Sequence, residues 1–141
     1  MNKTCLYILS LFFLTNIFTS NVIAAEPHLE FSPASGSLSD LGTEIDIVID
    51  TGGEEVKSAK AVINFDSSKL EVSSVADGDF FGNLTNNIYN NQVIINANLE
   101  GVALESKTGR GTLAILTVKP LASSGEATLV FDCVQGDSTD S

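Results

Sequence analysis

The chain has 141 residues, 18 acidic against 7 basic, and a formal net charge of −11, which is length enough for one domain and not two. So acidic a surface repels nucleic acid and anionic lipid headgroups, and partners of those classes are excluded. Two cysteines and no tryptophan leave neither a disulfide framework nor a tryptophan platform of the kind that holds crystalline polysaccharide.

The first segment has the pattern of a secretory signal peptide. Lys3 supplies the positive start, the apolar run from Leu6 to Phe18 is too short to cross a membrane, and Val22-Ile23-Ala24-Ala25 offers a small-residue cleavage site. Cleavage after Ala24 or after Ala25 fits equally. Residues 1–25 are therefore set apart from a domain over 26–134 and a polar tail over 135–141, and no membrane span is expected once the leader is removed. Cys5 precedes the apolar run, so it is not placed for lipid attachment. Cys133 is then the one thiol of the exported chain, read as a small core residue beside Phe131 and Val134, with pairing to another molecule as the other use.

The rest of the chain reads as short strands separated by turn chemistry. His28 to Phe31 alternates and is closed by Ser32-Pro33, since proline cannot donate to a ladder. Glu44 to Asp50 places Ile45, Ile47 and Ile49 on one face and Glu44, Asp46 and Asp50 on the other. Ala59, Ala61, Ile63 and Phe65 form the inward face of a further strand, with Lys60, Val62 and Asn64 opposite. Asp66 stops it, because its carboxylate can bond the backbone N–H groups that follow. Leu70 and Val72 point inward next, and a phase slip near Ser73-Ser74 predicts a β-bulge. Asp77-Gly78-Asp79 reads as an acidic turn that delivers Phe80 and Phe81 to one end of the core. Gly82 to Asn87 reads as a polar loop, with a short strand beginning at Tyr89 and a hairpin turn at Asn90-Asn91, where asparagine tolerates positive φ. Gln92 to Leu99 alternates again, Thr112 to Lys119 is apolar on both faces and so central in its sheet, and Gly125 to Phe131 carries Ala127, Leu129 and Phe131 inward. About eight strands without helical periodicity predict an all-β, antiparallel β-sandwich.

Three of these stretches together resemble a cohesin domain, the receptor module that captures dockerin domains. They are the Phe65-Asp66 turn leading to Leu70-Glu71-Val72, the Gly78-Asp79-Phe80-Phe81 run, and Gly109 to Ala114 ahead of the long strand. The similarity covers most of residues 28–132, with Ser67 where the family turn carries proline. It implies a jelly-roll sandwich of about nine strands whose last strand pairs beside the first. No such strand is legible after Phe131, so the last strand is read as missing or the sequence as incomplete. The resemblance also implies docking on one sheet face. Ser58 and Lys60 fall where a scaffold-forming cohesin has Asn and Asp, and Glu100 lies close to a family glutamate. Lys60 reverses a charge, which implies an altered choice of partner.

Chemistry for catalysis is thin, and no enzyme is expected. His28 is the single histidine, with no nucleophile suggested beside it. No Cys/His spacing for zinc and no phosphate-binding glycine loop occurs, so no cofactor is expected; the cohesin resemblance implies that any calcium belongs to a dockerin partner. Asn83-Leu84-Thr85 fits a glycosylation pattern. The functional expectation is an exported, non-catalytic module that docks a dockerin-type protein through an outward sheet face containing Ser58, Lys60 and Glu100. The alternatives are a carbohydrate-binding module and a structural subunit of a cell surface.

Overall fold

A computed structural model describes residues 25–99, 101, 105–121 and 125–132. The leader, Glu100, Cys133 and the polar tail lie outside the described residues. Eight strands follow in order: β1 (His28–Ser32), β2 (Thr43–Asp50), β3 (Ser58–Phe65), β4 (Leu70–Asp77), β5 (Asn83–Ile88), β6 (Gln92–Asn98), β7 (Arg110–Pro120) and β8 (Leu129–Phe131). They form two four-stranded sheets, β1-β2-β7-β4 and β5-β6-β3-β8, with every pairing antiparallel. The expected sandwich is what the chain adopts. Among the described residues no helix is long and apolar enough to cross a membrane.

The core lies between the inward faces. Ile63, Val93 and Ile95 from one sheet meet Ile47, Leu113, Leu116 and Val118 from the other, each no more than 1% exposed. Burying such side chains contributes on the order of 1.5–3 kcal/mol apiece against leaving them in water. Phe80 and Phe81 are buried at the edge of this cluster, edge to face with centroids 4.9 Å apart, so they close the core as expected. Phe31 of β1 stacks on Phe131 of β8 at 4.1 Å, which ties an edge strand of one sheet to an edge strand of the other.

The bulge at Ser73 is present. Val72 pairs with Val118 and Ser74 with Thr117, leaving Ser73 as the extra residue. Its hydroxyl donates to the Thr117 carbonyl at 3.1 Å, so the interruption of the ladder is partly satisfied from the side chain. A second bulge falls in β7, where Ile47 pairs with Ala114 but Val48 with Thr112. That extra residue accounts for Leu113 and Ala114 both being buried; in β2, Val48 is buried beside Ile47 and Ile49 as well.

The Asp66 turn is built as its side chain predicts. Asp66 Oδ1 accepts the Ser68 backbone N–H at 2.9 Å and the Ser68 hydroxyl at 2.6 Å, while the Asp66 carbonyl accepts from Lys69 and Leu70. The Ser68 hydroxyl, then the Ser68 N–H, hold this carboxyl below its ordinary value of 3.8. A carboxyl lowered by folding stabilises the native state above its unfolded value, and that contribution fades as pH falls through the folded one. Asp66→Ala is therefore expected to lower the melting temperature at pH 7, with the gap to wild type narrowing below pH 3.8. Thermal melts across pH 7 to 3 check this, and a gap that stays constant with pH counts against it.

Four expectations are corrected. Gly82 to Asn87 is not a loop: Asn83–Ile88 is β5, paired along its length with β6. Its inward row is Leu84, Asn86 and Ile88, and a polar residue in the middle of that row hides the alternation. The strand forms because β6 needs a partner for its outer backbone groups, a demand that side-chain periodicity does not display. Tyr89 accordingly lies in the turn, where its N–H donates to the Gln92 carbonyl at 2.8 Å. The turn at Asn90-Asn91 is real but uses no positive φ, since only glycines adopt it among the described residues. Lastly, the strand expected over Gly125 to Phe131 is only Leu129–Phe131, and Ala127 is exposed outside it. Leu129 pairs with Phe65, the last residue of β3; the chain turns away at Asp66, so residues before Leu129 have no strand to lie against.

Candidate functional site

The outward face of β5-β6-β3-β8 is built from alternate residues whose neighbours form the core. Because a strand points successive side chains to opposite faces, burying Ala61, Ile63 and Phe65 puts Ser58, Lys60, Val62 and Asn64 outside. Register then aligns them into rows. Ser58 pairs with Asn98 and Asn98 with Asn83; Lys60 pairs with Asn96 and Asn96 with Thr85; Val62 pairs with Ile94 and Ile94 with Asn87. The first two rows surround a shallow depression of about 200 Å³. Its floor is the Ala59–Ala97 pair, whose small side chains turn inward.

Beyond the Val62–Ile94 row, the face is held by amides. Gln92 Nε2 donates to Asn64 Oδ1 at 2.9 Å, and Asn64 Nδ2 donates to Asp132 Oδ2 at 3.1 Å. This chain fixes the end of β8 against β3, together with the Asp132 N–H to Val62 carbonyl bond at 2.8 Å. Val130 lies beside it, 56% exposed. The face thus carries half-buried apolar groups in the middle and amides or hydroxyls at both ends, a composition that suits protein contact better than catalysis.

The structure brings Ser58 and Lys60 together in the depression, while Glu100 lies outside the described residues. Asn83 and Thr85 join them from β5, and the sequence reading missed both by taking that segment as a loop. The Asn83-Thr85 pattern was visible only as a glycosylation triplet, which says nothing about facing β3.

Other candidates reduce to structural roles. His28 is exposed, its Nδ1 3.0 Å from the Glu26 carbonyl. Asp79 Oδ1 accepts the Thr112 N–H at 2.8 Å, so the acidic turn fastens the chain to β7. Among the described residues no group of three or more His, Cys, Asp or Glu could hold a metal ion. Tyr89 is half exposed at the β5–β6 turn, beside Ile88 and Leu121. It is one ring, not the coplanar strip that holds a polysaccharide chain.

No family model and no curated protein matches the sequence. Solved structures do match. A non-cellulosomal cohesin from Archaeoglobus fulgidus superposes with TM-score 0.53 at 17% identity, over 68% of this chain and 66% of that one. The match to a type I cohesin–dockerin complex from Clostridium thermocellum has TM-score 0.62 at 15% identity, over 77% and 82%. A type III cohesin module from a cell-surface anchoring scaffoldin of Ruminococcus flavefaciens gives 0.57 at 10% identity, over 82% and 70%. At such identities the likeness is one of fold: the chain folds as these cohesin modules do.

Proposed function

We infer that this chain is a cohesin, an exported non-catalytic module that docks a dockerin-type protein on the outward face of β5-β6-β3-β8. The observation that carries this reading is that face itself: Val62 and Ile94 half-buried at its centre, a polar depression around Ser58 and Lys60 beside them, and an amide network fixing its far edge. The cohesin fold supports it, and so do the matched structures that contain a dockerin. Glu100 is assigned to the same face by its family resemblance. Calcium, where needed, belongs to the dockerin, and the leader over residues 1–25 directs the module to the cell surface or beyond.

The test is isothermal titration of the secreted chain against a panel of calcium-loaded dockerins, with Ile94→Asp as the face variant. At least one dockerin is expected to bind. Ile94→Asp is expected to weaken it about 30-fold, on the order of 2 kcal/mol, with the melting temperature held within a few degrees. Binding that survives the substitution removes this face from the interface, and a silent panel removes the dockerin reading altogether.

A further inference from the structure

Among the described residues five large apolar side chains stand exposed: Leu41, Ile88, Tyr89, Leu121 and Val130. Single exposed apolar residues are ordinary on a protein surface. Three of these, Ile88, Tyr89 and Leu121, instead line one depression of about 290 Å³. It lies at the end of the sandwich where β3 turns into β4 and β5 into β6. Its floor is Phe65, Leu70 and Val72, all buried, and its rim carries Ser67, Glu71 and Asn90. The walls are fastened to one another by backbone bonds: Phe65 N–H donates to the Asn91 carbonyl at 3.0 Å, and Leu121 N–H to the Lys69 carbonyl at 2.8 Å. The rim side chains are not engaged in this way. With the described residues, Ser67, Glu71, Tyr89 and Asn90 make no side-chain hydrogen bond or ion pair.

We propose that this depression holds the end sugar of a neutral glycan, with one pyranose ring laid on Tyr89. A pyranose has an apolar C–H face and hydroxyl groups around its edge. The Tyr89 ring, 53% exposed, offers the flat apolar surface that such a face needs. Ser67, Asn90 and the Tyr89 hydroxyl both donate and accept, and the Glu71 carboxylate accepts, so sugar hydroxyls of either sense find a partner. A wholly apolar occupant would leave those groups without partners as water is expelled. An anionic one would meet Glu71 on a chain of net charge −11. The volume sits at the lower end of the range for ligand sites, about 300–1,000 Å³, and the rim offers one ring instead of a strip. A chain end therefore fits, and a length of polymer does not. The fastened walls mean that little has to be ordered on binding. Phe65 here and Ser58 on the proposed docking face stand at opposite ends of the eight-residue β3, about 23 Å apart at the rise of a strand. The two sites can be filled together, and this one does not rest on the docking reading.

The experiment is titration of the full chain, by saturation-transfer NMR and then calorimetry, with gluco-, xylo-, manno- and galacto-oligosaccharides and with uronic-acid oligosaccharides. At least one neutral oligosaccharide is expected to bind, with an affinity that changes little as further sugars are added. Tyr89→Ala should weaken it about tenfold or more, and Tyr89→Phe much less, because the ring stays. Tyr89 is half exposed at a turn, so melting temperatures within a few degrees of wild type are expected to show that both variants are folded. Equal affinity of wild type and Tyr89→Ala puts the sugar elsewhere and overturns the site. A preference for the uronic-acid series overturns the neutral ligand, and affinity that climbs with every added sugar overturns the chain-end geometry. If no oligosaccharide binds, the proposal falls, whatever the dockerin titration shows.

Discussion

Gly78→Ala is expected to cost about 3 kcal/mol or more, a large part of the ~5–15 kcal/mol that holds a domain together. A Cβ added at Gly78 would lie 2.0 Å from the carbonyl oxygen of Thr112, 2.5 Å from its carbon and 2.7 Å from the carbonyl carbon of Leu113. All three are backbone atoms of β7, so no side chain can rotate out of the way. The approach is close because residues 78–80 are laced to that strand. Gly78 N–H donates to the Leu113 carbonyl at 3.2 Å, Phe80 N–H to the Thr112 carbonyl at 2.9 Å, and Thr112 N–H to Asp79 Oδ1 at 2.8 Å. Relieving the clash means lifting this segment, and Phe80 and Phe81 leave the core with it. Gly53→Ala provides the comparison. There φ is +94° but nothing lies within 4 Å, so the cost is conformational and about 1 kcal/mol. Urea unfolding of both variants measures the difference; a Gly78→Ala midpoint equal to that of Gly53→Ala would show that the clash is not there.

Ile63→Ala is expected to cost about 2–5 kcal/mol. Ile63 is fully buried, in the β3 strand that pairs with both β6 and β8. Its cross-strand neighbours are Val93, also fully buried, and Phe131, which stacks on Phe31 of the other sheet. Both neighbours are held by their own strand pairings to β3, and Phe131 also by its stack on Phe31, so they cannot collapse into the space left. The proposed docking face lies on the other side of the same strand. Wherever the variant is still folded, dockerin affinity is therefore expected to match wild type, because Val62 and Asn64 keep their places. Calorimetric melting alongside titration separates the two effects, and a loss of affinity in the folded variant would mean that the face depends on core packing.

The elements that alternate cleanly were legible because each is half-buried: β3 shows Ala61, Ile63 and Phe65 inward and Lys60, Val62 and Asn64 outward in its residues alone. The slip at Ser73-Ser74 was legible for the same reason, since a bulge is a phase change in that alternation. β5 was not, because Asn86 occupies an inward-row position at a sheet edge, where exposure removes the pressure for an apolar residue. Thr51 shows the same limit from the other side. It reads as loop, yet it is fully buried, its hydroxyl accepting the Gly109 N–H at 2.8 Å and its own N–H bonding the Gly109 carbonyl. Nothing near Thr51 in sequence announces a partner 58 residues away.

By itself, the sequence determined the fold class, the inward and outward faces of β3 and β6, the Asp66 turn and the placing of Ser58 and Lys60 on one side. These follow from side-chain periodicity and from carboxylate–backbone bonds between residues close along the chain. Only the tertiary structure decided that β5 is a strand, that Asn83 and Thr85 complete the depression around Lys60, and that Gly78 must lack a side chain. Each of those depends on which backbone lies alongside which. That pairing is set by the register between strands far apart in the chain, and local composition carries no record of it.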